Sequence, residues 1–513
     1  MRIRLRPLLA LVCAVALLTS CASAEEAPAP SGVTYEIFVA SFQDANGDGI
    51  GDLQGVIQRL DYIEALGVSR IWLMPIHPSP SYHKYDVTDY CTVDPAYGTL
   101  EDFDALVAAC AAHGIDVMLD LVVNHTSREH PWFQEACQAL AKGTDSPYLA
   151  WYHFTQGSGQ HQVPGTDWFY EGQFGDHMPD LNLDEPAVRE ELKRIIGFWQ
   201  AHGVKGFRLD AVTSYYTGAT KSTAEFLRFL TEAAKANDPD CYLVGEAWTD
   251  SASILTLYES GVDSLFNFPA ADATGRLLTS ALNGTGAAAA ASLAAWNAQV
   301  RAASPGSVDA PFLTNHDMSR VRGVLRSDVA KQKAAAMLYL LLPGAPTVYY
   351  GEELGMSGSG RDENKRLPMV WNAADASAQC LPPADADQKQ RLKEGVDVQD
   401  GDPDSLLNCY RQLIALRRLA PELHRGMMTA LDGGHDAIAY YRVDDGDSAV
   451  AVVVNTSTAE TISVDLSELS SARVLGQVGG VETTGTWLSP LSSLDFSYTV
   501  VMPPVSCLLL RVE

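Results

Sequence analysis

The feature that most constrains the fold of this chain is a repeated alternation of short β-branched runs with amphipathic stretches, which begins at Thr34. Apolar residues at helical spacing follow most of these runs. Eight runs have the composition of strands: YEIFVASF, RIWLMPI, DVMLDLVVNH, GFRLDAV, YLVGEAW, SLFNFP, PFLTNHD and PTVYYGEEL. Strands that alternate with helices form parallel sheets, and eight such units close a barrel. The sequence therefore predicts an α/β fold built on a (β/α)8 barrel.

Two regions depart from this alternation. The connection after the third strand is far longer than one helix needs and is rich in Gly and aromatic residues, as in WYHFTQGSGQHQVPGTDWFYEGQF. Connections of this length are usually functional or form a small domain, so we predict an inserted subdomain over 126–184 and a helix from Glu185 to His202. After Leu423 strand-like runs follow without helices, which predicts a C-terminal antiparallel β-sandwich over 424–513. The barrel then comprises 34–125 and 185–423.

The N-terminus has the pattern of a secretory signal over residues 1–20, with three arginines before an apolar run. Its end, Leu18-Thr19-Ser20-Cys21, resembles a bacterial lipobox, in which Cys21 carries the lipid. Ordinary cleavage after Ala24 is the alternative. We favour a monomeric protein on the bacterial cell surface, with residues 21–33 as its tether and the lipid as its only membrane contact.

Composition excludes one class of partner. The chain has 36 Lys+Arg against 64 Asp+Glu, a formal charge of -28, and its acidic residues are spread along its length. Nucleic-acid binding needs clustered basic residues, so we expect no nucleic-acid partner. The cysteines that follow Cys21 number seven, at irregular spacings without a metal-ligand pattern, and buried thiols are the simplest interpretation.

Four of the predicted strands end in acids: Asp120, Asp210, Glu246 and Asp317. In a barrel of this kind the carboxyl ends of the strands form the rim of the active site. Arg208 stands two residues before Asp210 and therefore on the same face of the strand, where it would keep that carboxylate ionised. A second acid near like charge and Trp248 should have a raised pKa. A structural ion pair is the alternative for Arg208 and Asp210 taken alone.

One ionised and one protonated carboxyl are what cleavage of a glycosidic bond requires, and a short separation gives retention through a covalent intermediate. The segments LDLVVNHT, GFRLDAV, GEAW and LTNHD stand in order on the third, fourth, fifth and seventh strands. This set resembles the α-amylase family of glycoside hydrolases, over essentially the whole chain from Thr34.

The resemblance implies a role for each matching residue. It makes Asp210 the nucleophile, Glu246 the general acid/base, and Asp317 the residue that stabilises the transition state. The residues that match its substrate-binding positions are Tyr85, Asp86, His125, Arg208 and His316, while Asp120 and Asn124 match the structural part of its first motif. The family stacks an aromatic ring on the sugar at the position of Tyr85, although packing under the inserted subdomain is the alternative for this ring.

Linkage and mode of action have weaker indications. MPDLN, from Met178 to Asn182, is similar to members intermediate between oligo-1,6-glucosidases and neopullulanases. Ala211 after the nucleophile favours α-1,4 cleavage, and Tyr82 stands where exo-acting relatives often carry an aspartate, which favours an endo-type cleft. The chain departs from many α-amylases in having Thr213-Ser214 in place of a Lys-His pair on the leaving-group side.

The loop DANGDGIGD offers oxygens from Asp44, Asn46, Asp48 and Asp52 at alternating positions, with Gly49 at the sharp turn. The twelfth position is Gly55, so the loop is not an EF-hand. The resemblance implies a structural Ca²⁺ here, with Ile50 giving a backbone oxygen. The alternative is a simple turn in which Asp52 caps the next helix.

These observations together predict a secreted, retaining endo-α-amylase that acts on starch and maltodextrins. A neopullulanase- or cyclomaltodextrinase-like enzyme, or one that transfers the sugar to another sugar, is the alternative of the same class. A non-catalytic glycan-binding surface lipoprotein is the alternative of another class, since a fold alone does not determine function.

Overall fold

A computed structural model describes residues 32–375, 377, 379–469, 471–481, 487–488 and 499–512. The predicted signal segment and Cys21 lie outside these residues. Within them no helix combines the length and the apolar character that crossing a membrane requires. None of the seven cysteines in this part of the chain forms a disulfide, and five of the seven are buried.

Eight parallel strands form the central sheet, and their order agrees with the predicted barrel. In chain order they are β1 (Thr34–Ile37), β2 (Arg70–Leu73), β3 (Asp116–Leu121), then after three short strands β7 (Gly206–Leu209), β8 (Tyr242–Gly245), β9 (Ser264–Phe266), β10 (Val308–Ala310) and β11 (Thr347–Tyr349). The order of hydrogen-bonded strands in the sheet is β10-β9-β8-β7-β3-β2-β1-β11. A parallel bridge between Phe312 and Thr347 joins the two ends of this order, so the sheet closes on itself.

The seventh strand lies earlier than the sequence predicted. PFLTNHD was expected to be the strand, whereas β10 ends at Ala310, one residue before Pro311. Proline has no N–H and cannot donate to the ladder, so regular pairing stops there and only the Phe312 bridge follows. Asp317 therefore lies on a loop beyond the strand and not at its last residue.

Fifteen helices are present in the described residues. They are α1 (Leu53–Gln58), α2 (Leu60–Leu66), α3 (Leu100–Ala112), α4 (Pro131–Lys142), α5 (Pro186–Ala201), α6 (Thr220–Asn237), α7 (Ser251–Tyr258), α8 (Arg276–Asn283), α9 (Gly286–Ala303), α10 (Val321–Val324), α11 (Val329–Leu340), α12 (Asp362–Lys365), α13 (Val396–Gln399), α14 (Leu406–Arg418) and α15 (Glu422–Arg425). The helix predicted from Glu185 is confirmed as α5, whose N-cap is Glu185. The apolar pattern after β1 forms two helices, since Arg59 leaves helical geometry.

The long connection contains α4 and a small antiparallel sheet of three strands, β4 (Phe154–Gln156), β5 (His161–Gln162) and β6 (Trp168–Tyr170), in the order β4-β6-β5. Bridges from His125 to Asp180 and from Tyr152 to Leu181 tie its two ends together. The inserted unit therefore begins and ends beside the carboxyl end of β3, at the rim of the barrel.

The C-terminal region forms two antiparallel sheets, as the absence of helical spacing predicted. Its strands are β12 (Met427–Ala430), β13 (Ile438–Asp444), β14 (Ala449–Asn455), β15 (Ile462–Asp465), β16 (Ala472–Val478), β17 (Trp487–Leu488), β18 (Thr499–Met502) and β19 (Ser506–Val512). One sheet has the order β12-β13-β14-β19-β16-β17 and the other pairs β15 with β18. Apolar side chains such as Ile438, Val464 and Met502 form the core between them.

Candidate active site

Arg208 is the centre of the site at the carboxyl end of the barrel. Its side chain is 1% exposed and extends from β7 over the rings of Trp72 and Tyr85. Nη1 donates to Asp210 Oδ1 at 2.6 Å and to Asp120 Oδ1 at 2.8 Å, while Nη2 lies 2.8 Å from Glu246 Oε2. Arg208 is therefore not one half of an isolated ion pair, because a single cation holds three carboxylates from three strands together.

The environment of these carboxylates differs. Burial raises the pKa of Asp120 to about 7, with the charge of Asp210 adding to the effect and Arg208 opposing it. Burial also raises the pKa of Glu246, and the charges of Asp210 and Asp317 add to it. The predicted rise in the pKa of Glu246 is therefore correct. Burial is its largest cause. Trp248 contributes less to this burial than expected, since its side chain is 51% exposed.

Asp317 belongs to a chain of charges that crosses the barrel. His316 Nε2 lies 3.0 Å from Asp317 Oδ2, and His316 Nδ1 lies 2.5 Å from Glu36 Oε1 on β1. Burial lowers the pKa of His316, but the two carboxylates outweigh it and raise the value to about 10. Burial would raise the pKa of Asp317, yet His316 and Arg366 hold it well below its usual range. The structure thus keeps His316 protonated and Asp317 ionised.

Tyr85 is placed by hydrogen bonds and by ring stacking. Its hydroxyl donates to Asp120 Oδ2 at 3.0 Å and lies 2.8 Å from His316 Nε2. The ring stacks on His316 at a centroid distance of 5.6 Å and also lines the cavity. The neighbouring Asp86 is buried and outside the cavity lining, and its carboxylate accepts hydrogen bonds from Ser79 and Ser81. Asp86 therefore holds the loop that presents Tyr85.

His125 lies against the inserted unit. Its ring packs at 5.1 Å from Phe174, and burial lowers its pKa, which keeps it neutral. The Nε2 atom is buried without a hydrogen-bond partner among the described residues, while His125 itself lines the cavity. Asn124 has a structural position, since its amide donates to Asp180 Oδ1 at 3.1 Å.

These groups surround one cavity of about 440 Å³. Its lining consists of His83, Tyr85, His125, Phe174, His177, Met178, Asp210, Ala211, Thr213, Ser214, Glu246, Trp248, Asp317, Asp362 and Arg366. The three acids predicted to be catalytic thus face a common space. Arg208 lies beneath it, bonded directly to two of them, while Asp317 is held from the side by His316 and Arg366.

Comparison with known proteins agrees with this arrangement. The model of the family described as "Alpha amylase, catalytic domain" matches residues 36–426. The chain belongs to the alpha-amylase family of glycoside hydrolases. It is 38% identical over 440 residues to Alpha-amylase 3 of Dictyoglomus thermophilum, covering 84% of this chain and 85% of that protein.

Two solved structures are also similar to this member of the family. Amy13B of Eubacterium rectale is 40% identical, with a TM-score of 0.85 over 94% of this chain and 95% of that chain. The alpha-amylase from H. orenii is 33% identical, with a TM-score of 0.81 over 94% of this chain and 99% of that chain. The resemblance predicted from the sequence is therefore confirmed, as are the barrel and the C-terminal sheets.

Several residues of this alpha-amylase family site escaped sequence reasoning. Arg366 donates from Nη2 to Asp317 Oδ1 at 2.8 Å and from Nη1 to the Tyr82 hydroxyl at 3.0 Å, yet it lies on a loop without a distinctive pattern. The sequence did contain an indication for Glu36. It is a lone acidic residue within an apolar strand, which is as unusual as the lone Arg208 on β7. Phe174 is an exposed aromatic residue at the rim, and only the folded chain brings it to the same cavity as Trp248.

The predicted calcium loop makes many bonds to its own backbone. Asp44 accepts hydrogen bonds from the backbone N–H groups of Asn46, Gly47 and Gly49, and Gly49 has a φ of +95° as the turn requires. Asp48 accepts from the N–H of Ile50.

Asp52 accepts at Oδ1 from Gly55 at 2.7 Å and so caps α1, while its Oδ2 accepts from Ala45. The capping role raised as the alternative is thus present. Three side chains of the metal-ligating types His, Cys, Asp and Glu lie close together at Asp61, Glu64 and His113. The described residues of the loop contain no such group of three. The loop offers the all-oxygen donor set that calcium prefers, provided that Asn46 and backbone carbonyls complete it.

Proposed function

We propose that this protein is a retaining, endo-acting α-amylase that hydrolyses α-1,4-glucosidic bonds of starch and maltodextrins. The observation that carries the proposal is the sharing of Arg208 by Asp210 and Glu246, on neighbouring nitrogens of one guanidinium. Two carboxyl groups held by one guanidinium are close neighbours, and close neighbours are what a covalent glycosyl intermediate requires.

The nucleophile in this proposal is Asp210. Its Oδ1 accepts a hydrogen bond from Arg208, which leaves Oδ2 to attack the anomeric carbon. The new bond joins Oδ2 to that carbon while the bond to the leaving oxygen breaks. Arg208 itself is held by Asp120 and by two aromatic rings, so the attacking oxygen is fixed before substrate binds.

Glu246 acts as the general acid and then as the general base. Its Oε2 accepts from Arg208 and from the N–H of Ala211 at 3.0 Å, so the proton belongs on Oε1. Burial favours the protonated form, which delivers this proton to the leaving oxygen. Glu246 then takes a proton from water, the water oxygen bonds to the anomeric carbon, and Asp210 leaves as a carboxylate. The configuration at that carbon is retained.

Asp317 and His316 stabilise the positive charge that develops on the sugar ring. Asp317 is ionised because two cations contact it, and a fixed carboxylate near an oxocarbenium-like centre lowers the energy of the transition state. The half-buried ring of Tyr85 provides an apolar face beside these groups, suited to the C–H face of glucose. Trp248, stacked on Phe268 at 5.0 Å, is a second such face at the rim.

The proposal that the enzyme acts in the endo mode rests on the surroundings of Tyr82. Its hydroxyl accepts from Arg366, and Arg366 also binds Asp317, so this position supports the acid. The residue that exo-acting relatives use to bind a chain end is therefore replaced by one that faces the arginine. Ala211, immediately after the nucleophile, favours α-1,4 over α-1,6 bonds.

The decisive experiment compares starch hydrolysis by the wild type, Asp210→Asn and Glu246→Gln, with the exposed Glu129→Gln as matched control. We expect both site variants to lose at least about a thousandfold in kcat and the control to stay active. NMR of the first product from a maltooligosaccharide should show the α anomer, and an initial β anomer would refute retention. Substantial activity in either site variant would refute the assignment.

The product profile decides between the related activities. An endo-amylase should lower the iodine colour of starch early, before many reducing ends appear, and should prefer starch to pullulan and cyclodextrin. Preference for pullulan or cyclodextrin, or formation of longer oligosaccharides, would instead indicate the neopullulanase-like or transferring alternative. Binding of starch without any hydrolysis would indicate the glycan-binding alternative.

We also propose a structural Ca²⁺ at the loop formed by Asp44, Asn46, Asp48, Ile50 and Asp52. The ion would neutralise adjacent acids of a turn whose own hydrogen bonds already orient their oxygens. The hydrolysis derived above uses no metal.

We further propose that the protein is secreted and anchored at the cell surface through a lipid on Cys21, on the strength of the sequence of residues 1–24. A Cys21→Ala variant should be released into the medium. Its retention in the membrane fraction would refute the anchor.

A further inference from the structure

The loop that presents Tyr85 to the catalytic cavity also contains a buried lysine. His83 and Tyr85 line the cavity, whereas Lys84 between them is 7% exposed and is not part of the lining. Lysine is almost never buried unless a partner neutralises its charge. Lys84 takes no part in the hydrolysis described above, so its burial behind a ring that faces the substrate needs another explanation.

Lys84 forms an ion pair that is itself buried. Its Nζ donates to Asp94 Oδ2 at 2.6 Å, and the two side chains are only 9% and 10% exposed. The ammonium group also lies 4.9 Å from the centre of the Tyr97 ring, where a cation is attracted to the face of the ring. Removal of either charge would leave the other buried without compensation, so this contact resists opening.

The acidic partner of this pair is firmly attached to the barrel. The N–H of Asp94 donates to the carbonyl of Ile76, just after β2, at 2.8 Å. The carbonyl of Asp94 accepts from the N–H of Tyr97, and the carbonyl of Tyr97 accepts from the N–H of Leu53, the first residue of α1. Asp94 is therefore a fixed point, and the ion pair ties Lys84 to it.

The backbone at Lys84 is strained. Its φ is +64°, in the left-handed region that residues with a side chain rarely adopt. Such a conformation costs energy and persists only where its surroundings enforce it. The N–H of Lys84 donates to Ser81 Oγ at 3.2 Å, and Ser81 in turn donates to Asp86. The ion pair on one side and this serine on the other therefore hold a turn that the chain would otherwise leave.

We propose that Lys84, through its buried ion pair with Asp94, is a positioning residue that sets the place of the Tyr85 ring in the catalytic cavity. The inference rests on the proposed α-amylase function, in which this ring faces the sugar. The bond from the Tyr85 hydroxyl to Asp120 fixes only the tip of the ring, whereas Lys84 fixes the backbone that carries it. A shift of about 1 Å would be costly, because catalysis depends on close alignment of the substrate with the reacting groups.

The first test removes the cation and keeps an unbranched side chain of similar length. We expect Lys84→Met to lower kcat/KM for maltoheptaose at least about tenfold at temperatures well below its Tm. Arg511→Met is the matched control, because it also removes the cation from a buried acid, Glu422, and neither residue lines the catalytic cavity. The control should keep its kcat/KM. Equal losses in the two variants, or no loss in Lys84→Met, would overturn the inference.

A double-mutant cycle shows whether Lys84 acts through the ring. In a Tyr85→Ala background there is no ring to place, so the addition of Lys84→Met should lower kcat/KM by less than about twofold. A purely structural role would give the same loss in both backgrounds. The full loss in the Tyr85→Ala background would therefore refute the inference.

A second variant serves if Lys84→Met fails to fold because Asp94 remains buried and charged. Lys84→Met combined with Asp94→Asn removes both charges, and asparagine keeps the oxygen that accepts from the N–H of Ala96. This double variant should fold and still show the loss in kcat/KM, since the tie to Asp94 is absent. A kcat/KM equal to that of the wild type would refute the tie.

Failure of the proposed function gives a different result from failure of this inference. A wild type that hydrolyses no glucan would contradict the enzyme and leave the position of the ring to be measured by binding. Calorimetry with maltoheptaose should then show weaker binding to Lys84→Met than to Arg511→Met. Equal binding to the two variants would overturn the role of Lys84.

Discussion

Glu352 is a buried carboxyl whose protonation should control how the stability of the fold responds to pH. Its Oε1 accepts hydrogen bonds from the hydroxyls of Tyr339 at 2.8 Å and Tyr410 at 2.9 Å, on α11 and α14. Among the described residues its Oε2 is buried without a hydrogen-bond partner. Burial raises its pKa to about 8, far from the value of 4.5 expected in the unfolded chain.

The sign of the effect follows from this difference. The folded state holds the proton more tightly than the unfolded state, so the stabilisation is complete below pH 4.5 and is lost as pH rises through 8. The loss is about 1.4 kcal/mol per pH unit, or about 4 kcal/mol between pH 5 and 8. An unfolding entropy of about 2.1 cal/mol/K per residue gives about 1 kcal/mol/K for a chain of this length. Dividing the loss of about 4 kcal/mol by this entropy gives a decrease of about 4 °C in Tm.

The substitution Glu352→Gln isolates this contribution. Glutamine has the same shape, keeps an oxygen that can accept from both tyrosines, and does not titrate. Calorimetric scans at pH 5, 6, 7 and 8 should show that the Tm of the wild type decreases relative to the variant by about 4 °C over this range. The exposed Glu225→Gln should follow the wild type. Parallel curves for the wild type and Glu352→Gln would refute the reasoning.

Three further predictions concern other parts of the fold and the site. Arg417 is buried on α14 and donates to the carbonyls of Leu340, Leu342, Gly344 and Leu423, which ties α14 to the end of α11, to the segment before β11 and to α15. Arg417→Met should therefore lower the free energy of unfolding by about 3 kcal/mol in urea titrations, and an unchanged midpoint would contradict this. Arg366→Ala removes one of the two cations on Asp317 and should lower kcat about a hundredfold at temperatures well below the Tm of the variant, and an unaffected kcat would show that Arg366 only packs. Calcium at about 100 times its Kd should stabilise the wild type by about 2.7 kcal/mol and Asp48→Asn by much less, measured as Tm with and without chelator, and equal Tm values would exclude the metal.

Local patterns explain why much of the fold was predictable. Strand composition and helical spacing depend on neighbours within a few residues, so the eight barrel units and the helix-free C-terminal region were evident from the sequence. The seventh strand was placed wrongly because a local rule was overlooked: β10 ends before Pro311, which cannot donate to the ladder.

The candidate site was predictable in its acids and less so in their environment. Asp210 and Glu246 follow directly on short parallel strands, and parallel strands end at the same rim, so their meeting follows from topology. Topology does not determine their pKa values, because a pKa depends on burial and on charges from anywhere in the chain. Arg208 was expected to form an ion pair with Asp210, and the structure shows that it also binds Asp120 and Glu246.

The sequence by itself determined the barrel, the order of the strands and the acids at their ends, because each is specified by residues close together in the chain. Only the tertiary structure decided which charges meet: Glu36 lies against His316, 280 residues away, and Gln173 reaches Ser214 across 41 residues. Spacing in the sequence carries no record of such contacts, since they form only when packing brings distant loops to one rim. The protonation of the site is therefore a property of the folded chain.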